Sequence, residues 1–186
     1  MKSTSSFYIP AFLPKLIAFD LDGTLWYPEM YQLSAGSPFT QVDGGQKTLL
    51  TRDGTKVNLL GISGFILDEL RSNAIWRNTK VTWVSTTDEP VWAKECLKKF
   101  ATSPNRISIG SCADDHQIFI DNKKVHFRNI KKKFGEIQYE DMVFFDNQMN
   151  NIRDVSELGV HCVYCPDGVT EEVWEKGMKS YEEKRK

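Results

Sequence analysis

The chain has 186 residues, 40% of them apolar and 12% aromatic, which is enough for one sizeable core and excludes a disordered polymer. Its 24 basic and 25 acidic residues leave a formal net charge of -1, so no broad field favours nucleic acid or an anionic membrane. No run reaches the roughly 18 apolar residues that a membrane span needs, and a single cytoplasmic domain covering the whole chain is expected.

Residues 1–14 read as a loose leader, with serines early and Pro10 and Pro14 breaking its apolar residues. Leu16-Ile17-Ala18-Phe19 is a continuous apolar run ending at Asp20-Leu21-Asp22-Gly23-Thr24, the pattern of a strand buried on both faces and followed by a sharp turn. Between Pro38 and Leu60, three short strand-like segments are separated by Asp43-Gly44-Gly45 and Asp53-Gly54, which are hairpin signals. They predict a small antiparallel β-hairpin flap.

Helical spacing follows over Ile62 to Leu70. A second apolar run, Val81 to Val84, ends at Ser85-Thr86-Thr87-Asp88. Pro90 to Phe100 then reads as a helix with proline in its first turn and Asp88 placed to cap it. After a short apolar strand, Lys123 to Phe134 is helical, and Met142 to Phe145 forms a third run that ends at Asp146-Asn147. A helix over Asn150 to Leu158, a strand over Val160 to Tyr164 and a helix over Glu171 to Tyr181 complete the order. Such alternation predicts an α/β fold, a Rossmann-like parallel sheet with helices on both faces. There is no room for a full cap domain.

In an open parallel sheet, ligands bind beyond the carboxyl ends of the strands. Three runs end in chemistry there: Asp20 with Asp22, then Ser85, then Asp146. Carboxylates brought together repel, and a dication relieves the repulsion. Oxygen ligands beside a phosphate suit Mg2+, which keeps several waters. The tripeptide Asp53-Gly54-Thr55 repeats the Asp22-Gly23-Thr24 pattern, yet Arg52 precedes it and no apolar run leads in, so it reads as a turn. Ser85 could equally cap a helix. Lys123, at a helix start between two site strands, is a candidate with Lys124 beside it, whereas Lys131 to Lys133 read as a solvated face.

The four cysteines, among them Cys162 and Cys165 in a C-x-x-C, read as free thiols, because no second pair completes a zinc site. His116, His126 and His161 share no metal-ligand spacing and read as surface or packing residues. Trp26 and Tyr27 follow the first acidic turn and either pack in the core or stack on a substrate.

LIAFDLDGTL over Leu16 to Leu25, Ser85, Lys123 and FFDN over Phe144 to Asn147 resemble, in order, the four motifs of the haloacid dehalogenase superfamily. Thr24-Leu25-Trp26, Pro38-Phe39, Lys123 before His126-Phe127, and Asn151-Ile152 after FFDN resemble its eukaryotic magnesium-dependent phosphatase branch. The likeness spans residues 15–170. It implies a phosphatase in which Asp20 is the nucleophile and Asp22 the general acid and base. Ser85, Thr86, Lys123 and Leu21 would hold the substrate phosphate, and Asp20, Asp146 and the main-chain carbonyl of Asp22 would hold Mg2+.

The substrate would be a phosphate monoester, such as a phosphotyrosine or a sugar phosphate, on a phosphorylated small molecule or protein. The chain departs from the branch at Gly23, often tyrosine, at Thr86, often arginine, and at Asn147, usually acidic. Loss of that acid implies weaker Mg2+ binding.

A receiver-like phosphoacceptor domain without turnover is the rival reading. There, however, the acid pair precedes the phosphorylated aspartate and the lysine comes last, while here Lys123 precedes Asp146. A binding protein that keeps the fold without activity and a dehalogenase both sit poorly with Asp22, since neither needs an acid for a leaving oxygen.

Overall fold

The computed structural model describes residues 7–186. In chain order its elements are β1 (Leu16–Phe19), β2 (Trp26–Tyr27), β3 (Thr40–Val42), β4 (Thr48–Leu50), β5 (Lys56–Leu59), α1 (Ser63–Ser72) and β6 (Lys80–Ser85). They continue with α2 (Pro90–Lys99), β7 (Asp115–Ile118), α3 (Lys123–Lys133), β8 (Met142–Asp146), α4 (Met149–Ser156), β9 (His161–Tyr164) and α5 (Glu171–Glu183).

Five strands form a parallel sheet in the order β7-β6-β1-β8-β9, with β1 at its centre. Alternate residues of a strand point to opposite faces, and both faces here are covered. Ile17 and Phe19 share one core with Trp83 and Phe145, closed by Ile66 of α1, Leu97 of α2 and Trp174 of α5. Leu16 and Ala18 share the other with Phe144, closed by Phe127 of α3 and Val155 of α4. Stacked rings knit the first core: Phe19 on Phe145 at 5.2 Å, and Phe145 on Trp174 at 5.6 Å. The continuous apolar runs therefore mark strands with no solvent face, and each wholly buried side chain contributes about 1.5–3 kcal/mol.

A second, antiparallel sheet has the order β2-β5-β4-β3. The expected flap thus forms, with one addition: β2, directly after the acidic turn, joins it through the pairs Trp26↔Leu59 and Tyr27↔Asn58. The flap is tied to α2 through Glu95, which accepts from the Phe39 amide at 2.9 Å and from the Ser37 hydroxyl at 2.5 Å.

Two expectations need correction. Asp88 does not cap α2; Glu89 occupies that place without a side-chain bond, and Thr87 Oγ1 instead accepts from the Glu89 amide at 3.0 Å. The leader is not loose where it is described. Tyr8 donates its hydroxyl to Glu182 at 2.8 Å, its carbonyl accepts from Trp174 Nε1 at 3.0 Å, and the Pro14 carbonyl accepts from Thr79 at 2.8 Å. Residues 1–6 of that leader lie outside the described residues.

Candidate active site

Because β1 lies between β6 and β8, the residues that leave these three strands share one rim. The Asp20 amide donates to the Phe145 carbonyl at 2.9 Å, which carries the ladder one residue past β1 and sets Asp20 beside Asp146. Lys123, the first residue of α3, reaches in from the β7 side. Its Nζ donates to Asp20 Oδ1 at 2.6 Å and to the Val84 carbonyl at 2.5 Å, and lies 3.5 Å from Asp146 Oδ2. Of the two neighbouring lysines, Lys123 is buried beside Asp20, while Lys124 pairs with Glu157.

Supporting bonds leave few carboxylate oxygens idle. Thr24 donates its hydroxyl to Asp20 Oδ2 at 3.1 Å and accepts from the Asn147 amide at 3.1 Å. Asp146 accepts from the Gln148 amide at 2.7 Å and from Asn151 Nδ2 at 3.0 and 3.2 Å. Burial raises the Asp146 pKa, the Asp20 charge raises it further, and Lys123 opposes both.

Asp22 takes another direction. Its carboxyl accepts from Trp26 Nε1 at 2.6 Å and from the Met30 amide at 3.2 Å, bonds that hold the pKa down. Burial outweighs them, and with the Asp20 charge it pushes Asp22 up to about 7. Two neighbouring acids with environments this different are the raw material for separate roles.

A cleft of about 140 Å³ opens over Asp20, Asp22, Ser85, Thr86 and Lys123. Ser85 is 2% exposed at its floor. Thr86 gives its hydroxyl proton to the Asp121 carbonyl at 2.8 Å, which commits that side chain to the loop before α3. Leu21 is buried and its carbonyl accepts from the turn amides, so the polar group it can offer a phosphate is its main-chain amide. Trp26 is buried against Phe100 at 5.9 Å and serves as core and as donor to Asp22, not as a stacking surface for substrate. Tyr31, 63% exposed, lines the cleft instead, while the half-exposed Tyr27 lines a separate hollow with Leu60, Pro166 and Asp167.

Sequence reasoning missed Glu29, Tyr31, Asp88 and Gln148, which also line the cleft. Glu29 and Tyr31 belong to a single 3-10 turn, Met30–Gln32 with Glu29 as its N-cap, that follows β2 directly. Thr24 and Asn151 lay inside recognised motifs, where their bonds to Asp20 and Asp146 had no separate signal.

Among the described residues, no three His, Cys, Asp or Glu side chains converge as ligands for one metal ion. The reason is local: Asp22 turns its carboxyl toward Trp26 and Met30. Asp20 and Asp146 remain as an oxygen-only pair in which crowding already disfavours charge on Asp146, a donor set that fits a hard dication. His126 and His161 are structural, both pushed down to about 4 by burial, and donate from Nε2 to the Phe119 and Gly177 carbonyls. The described cysteines are all unpaired.

The sequence matches the acid phosphatase family over residues 12–184. The chain belongs to that family. It is 30% identical over 169 residues to human magnesium-dependent phosphatase 1, covering 91% of this chain and 88% of that one. A haloacid dehalogenase-like hydrolase superfamily protein of Schizosaccharomyces pombe is 33% identical over 155 residues, with 79% and 83% covered.

Two solved structures that the fold of this chain resembles are instructive. One is the magnesium-bound N-terminal part of a Bacteroides fragilis protein containing a phosphatase domain, at TM-score 0.54 and 18% identity. The alignment covers 92% of this chain and spans 40% of that one. The other is 3-deoxy-D-manno-octulosonate 8-phosphate phosphatase of Moraxella catarrhalis, at TM-score 0.50 and 16% identity, with 89% and 86% covered. The resemblance to the magnesium-dependent branch of the haloacid dehalogenase superfamily is borne out, and the family is one of phosphatases.

Proposed function

We propose that this chain is a magnesium-dependent phosphatase that hydrolyses phosphate monoesters in two steps through an aspartyl-phosphate on Asp20. The observation that carries the reading is the pairing of two unlike acids in one cleft: Asp20, ion-paired to buried Lys123, and Asp22, whose pKa is pushed up to about 7.

Asp20 attacks the phosphorus while Asp22, protonated, gives its proton to the departing oxygen. Water then attacks the acyl phosphate, and Asp22, now ionised, takes the proton from it. General acid–base help of this kind contributes about 10²–10⁴-fold. Lys123 neutralises charge on Asp20 and the phosphoryl group, and Ser85 and the Leu21 main-chain amide donate to phosphoryl oxygens. Asp20, Asp146 and the Asp22 carbonyl would hold Mg2+, which supplies charge neutralisation for the phosphoryl oxygens.

The flap leaves the mouth open, so the ester can be carried by a small molecule or by a protein. Tyr31, which lines the cleft, favours an aromatic or sugar leaving group. No helix among the described residues is long and apolar enough to cross a membrane, and unpaired thiols fit a reducing cytoplasmic compartment.

Hydrolysis of an aryl phosphate, with and without Mg2+, by the wild type and Asp20→Asn tests the reading. Repeated metal-dependent turnover that the substitution abolishes is expected. A single phosphate retained per chain without turnover would instead mark a receiver-like phosphoacceptor, and turnover by Asp20→Asn would remove the nucleophile.

A further inference from the structure

Glu29 is the one acidic side chain of the cleft that comes from neither a strand end nor the loop that follows one in the parallel sheet. Its position is nonetheless fixed. Its amide donates to Gln32 Oε1 at 3.0 Å, its carbonyl accepts from the Gln32 amide at 3.0 Å, and the next amide, that of Met30, is bound to Asp22. The side chain therefore starts from a backbone fastened to the acidic turn and lines the same cleft as Asp20, Asp22 and Lys123.

Its surroundings work against an unpaired charge. Four carboxyl groups, Asp20, Asp22, Glu29 and Asp88, line the cleft against one ammonium, that of Lys123. Among the described residues Glu29 forms no salt bridge. Burial and the Asp20 charge raise its pKa, while the Asn147 side chain favours its ionised form. Glu29 and Asn147 meet over Gly23: a Cβ added there would lie 2.1 Å from Asn147 Nδ2 and 3.3 Å from Glu29 Oε1. Only a residue without a side chain leaves that space open, so Gly23 makes room for the Glu29 carboxyl and the Asn147 side-chain amide side by side at the edge of the cleft. A carboxylate held among like charges is relieved by a cation in the same cleft.

We propose that Glu29 is a positioning residue of the magnesium site, an outer carboxylate that takes hydrogen bonds from metal-bound water and is steered by the Asn147 amide. The inference rests on the metal reading above. Magnesium keeps several waters when bound, and partners in the outer shell are worth about 10- to 100-fold in metal affinity.

Calorimetric titration of the metal-free chain with Mg2+ tests it without any assay of activity. Glu29→Gln should bind Mg2+ about 10-fold or more weakly than the wild type. The exchange Glu29→Gln with Asn147→Asp, which returns one acid and one amide to the pair, should recover most of that loss. Thermal melts confirm that each variant is folded. If Glu29→Gln stays within about twofold of the wild type while Asp146→Asn loses binding, the proposal fails and the metal site stands. If Asp146→Asn binds as well as the wild type, the metal site itself is misplaced, and the role of Glu29 falls with it.

Discussion

Lys123 Nζ lies 2.6 Å from Asp20 Oδ1, and the two side chains are only 2% and 9% exposed. Removing one partner of such a pair leaves an uncompensated buried charge, which costs about 3–5 kcal/mol. Lys123→Met should therefore melt well below the wild type as well as lose activity, since Asp20 and Asp146 would then face each other without a cation. Added Mg2+ should raise the melting temperature of the variant by more than it raises that of the wild type. An unchanged melting temperature without metal would mean that the pair carries no structural weight.

Asp22 makes stability depend on pH in a defined direction. Its pKa is pushed up from 3.8 to about 7 on folding, so between those values the folded chain keeps a proton that the unfolded chain has released. Stability is thus lost as the pH rises through that window, and the loss levels off above it. Asp22→Asn cannot titrate, so in chelator its stability relative to the wild type should climb from about pH 4 to pH 7 and then stay level. Urea denaturation across this range measures the difference, and a constant offset would contradict the raised pKa.

Gly23 is constrained twice. Its φ of +75° lies in the left-handed region, and the missing side chain leaves room for Asn147 Nδ2. Gly23→Ala should cost more than the roughly 1–2 kcal/mol of the backbone conformation alone. Combined with Asn147→Ala, most of the steric part should be relieved, leaving the backbone part and the Glu29 contact at 3.3 Å, and giving a coupling of about 0.5 kcal/mol or more in a double-mutant cycle. Strict additivity would show that the two positions do not compete for space.

The thiols should be quiet. Burial pushes Cys112 and Cys162 up to about 12, and raises Cys96 and Cys165 further. Since the thiolate is the reactive form, the native chain should react slowly with a disulfide reagent at neutral pH and release four equivalents in denaturant. Fast native reaction at Cys162 would reopen a redox role for the C-x-x-C.

Much of this site was legible because the strands that carry it have no solvent face. Leu16 to Phe19 and Met142 to Phe145 announce themselves by unbroken apolar character, and an acid at the end of such a run lands on the carboxyl rim by necessity. Lys123 was legible in part: its place at a helix start suggested the site, but Lys124 could be set aside only once the first turn of α3 was oriented. β2 was not legible. Two residues have no period, and their pairing with β5 spans more than thirty positions. Everything that hangs from β2 was hidden with it: the bond from Trp26 to Asp22, the exposure of Tyr31 and the position of Glu29. The packing of Tyr8 against α5 escaped for the same reason, since its partners lie at the other end of the chain.

The bond from the Asp20 amide to the Phe145 carbonyl has a consequence for energetics. It extends the hydrogen-bonded ladder through Asp20, so the backbone of the proposed nucleophile is held by the parallel sheet and not by a free loop. On the proposed mechanism, the main chain that carries the attacking carboxylate is thus set in place by the sheet before any ligand enters.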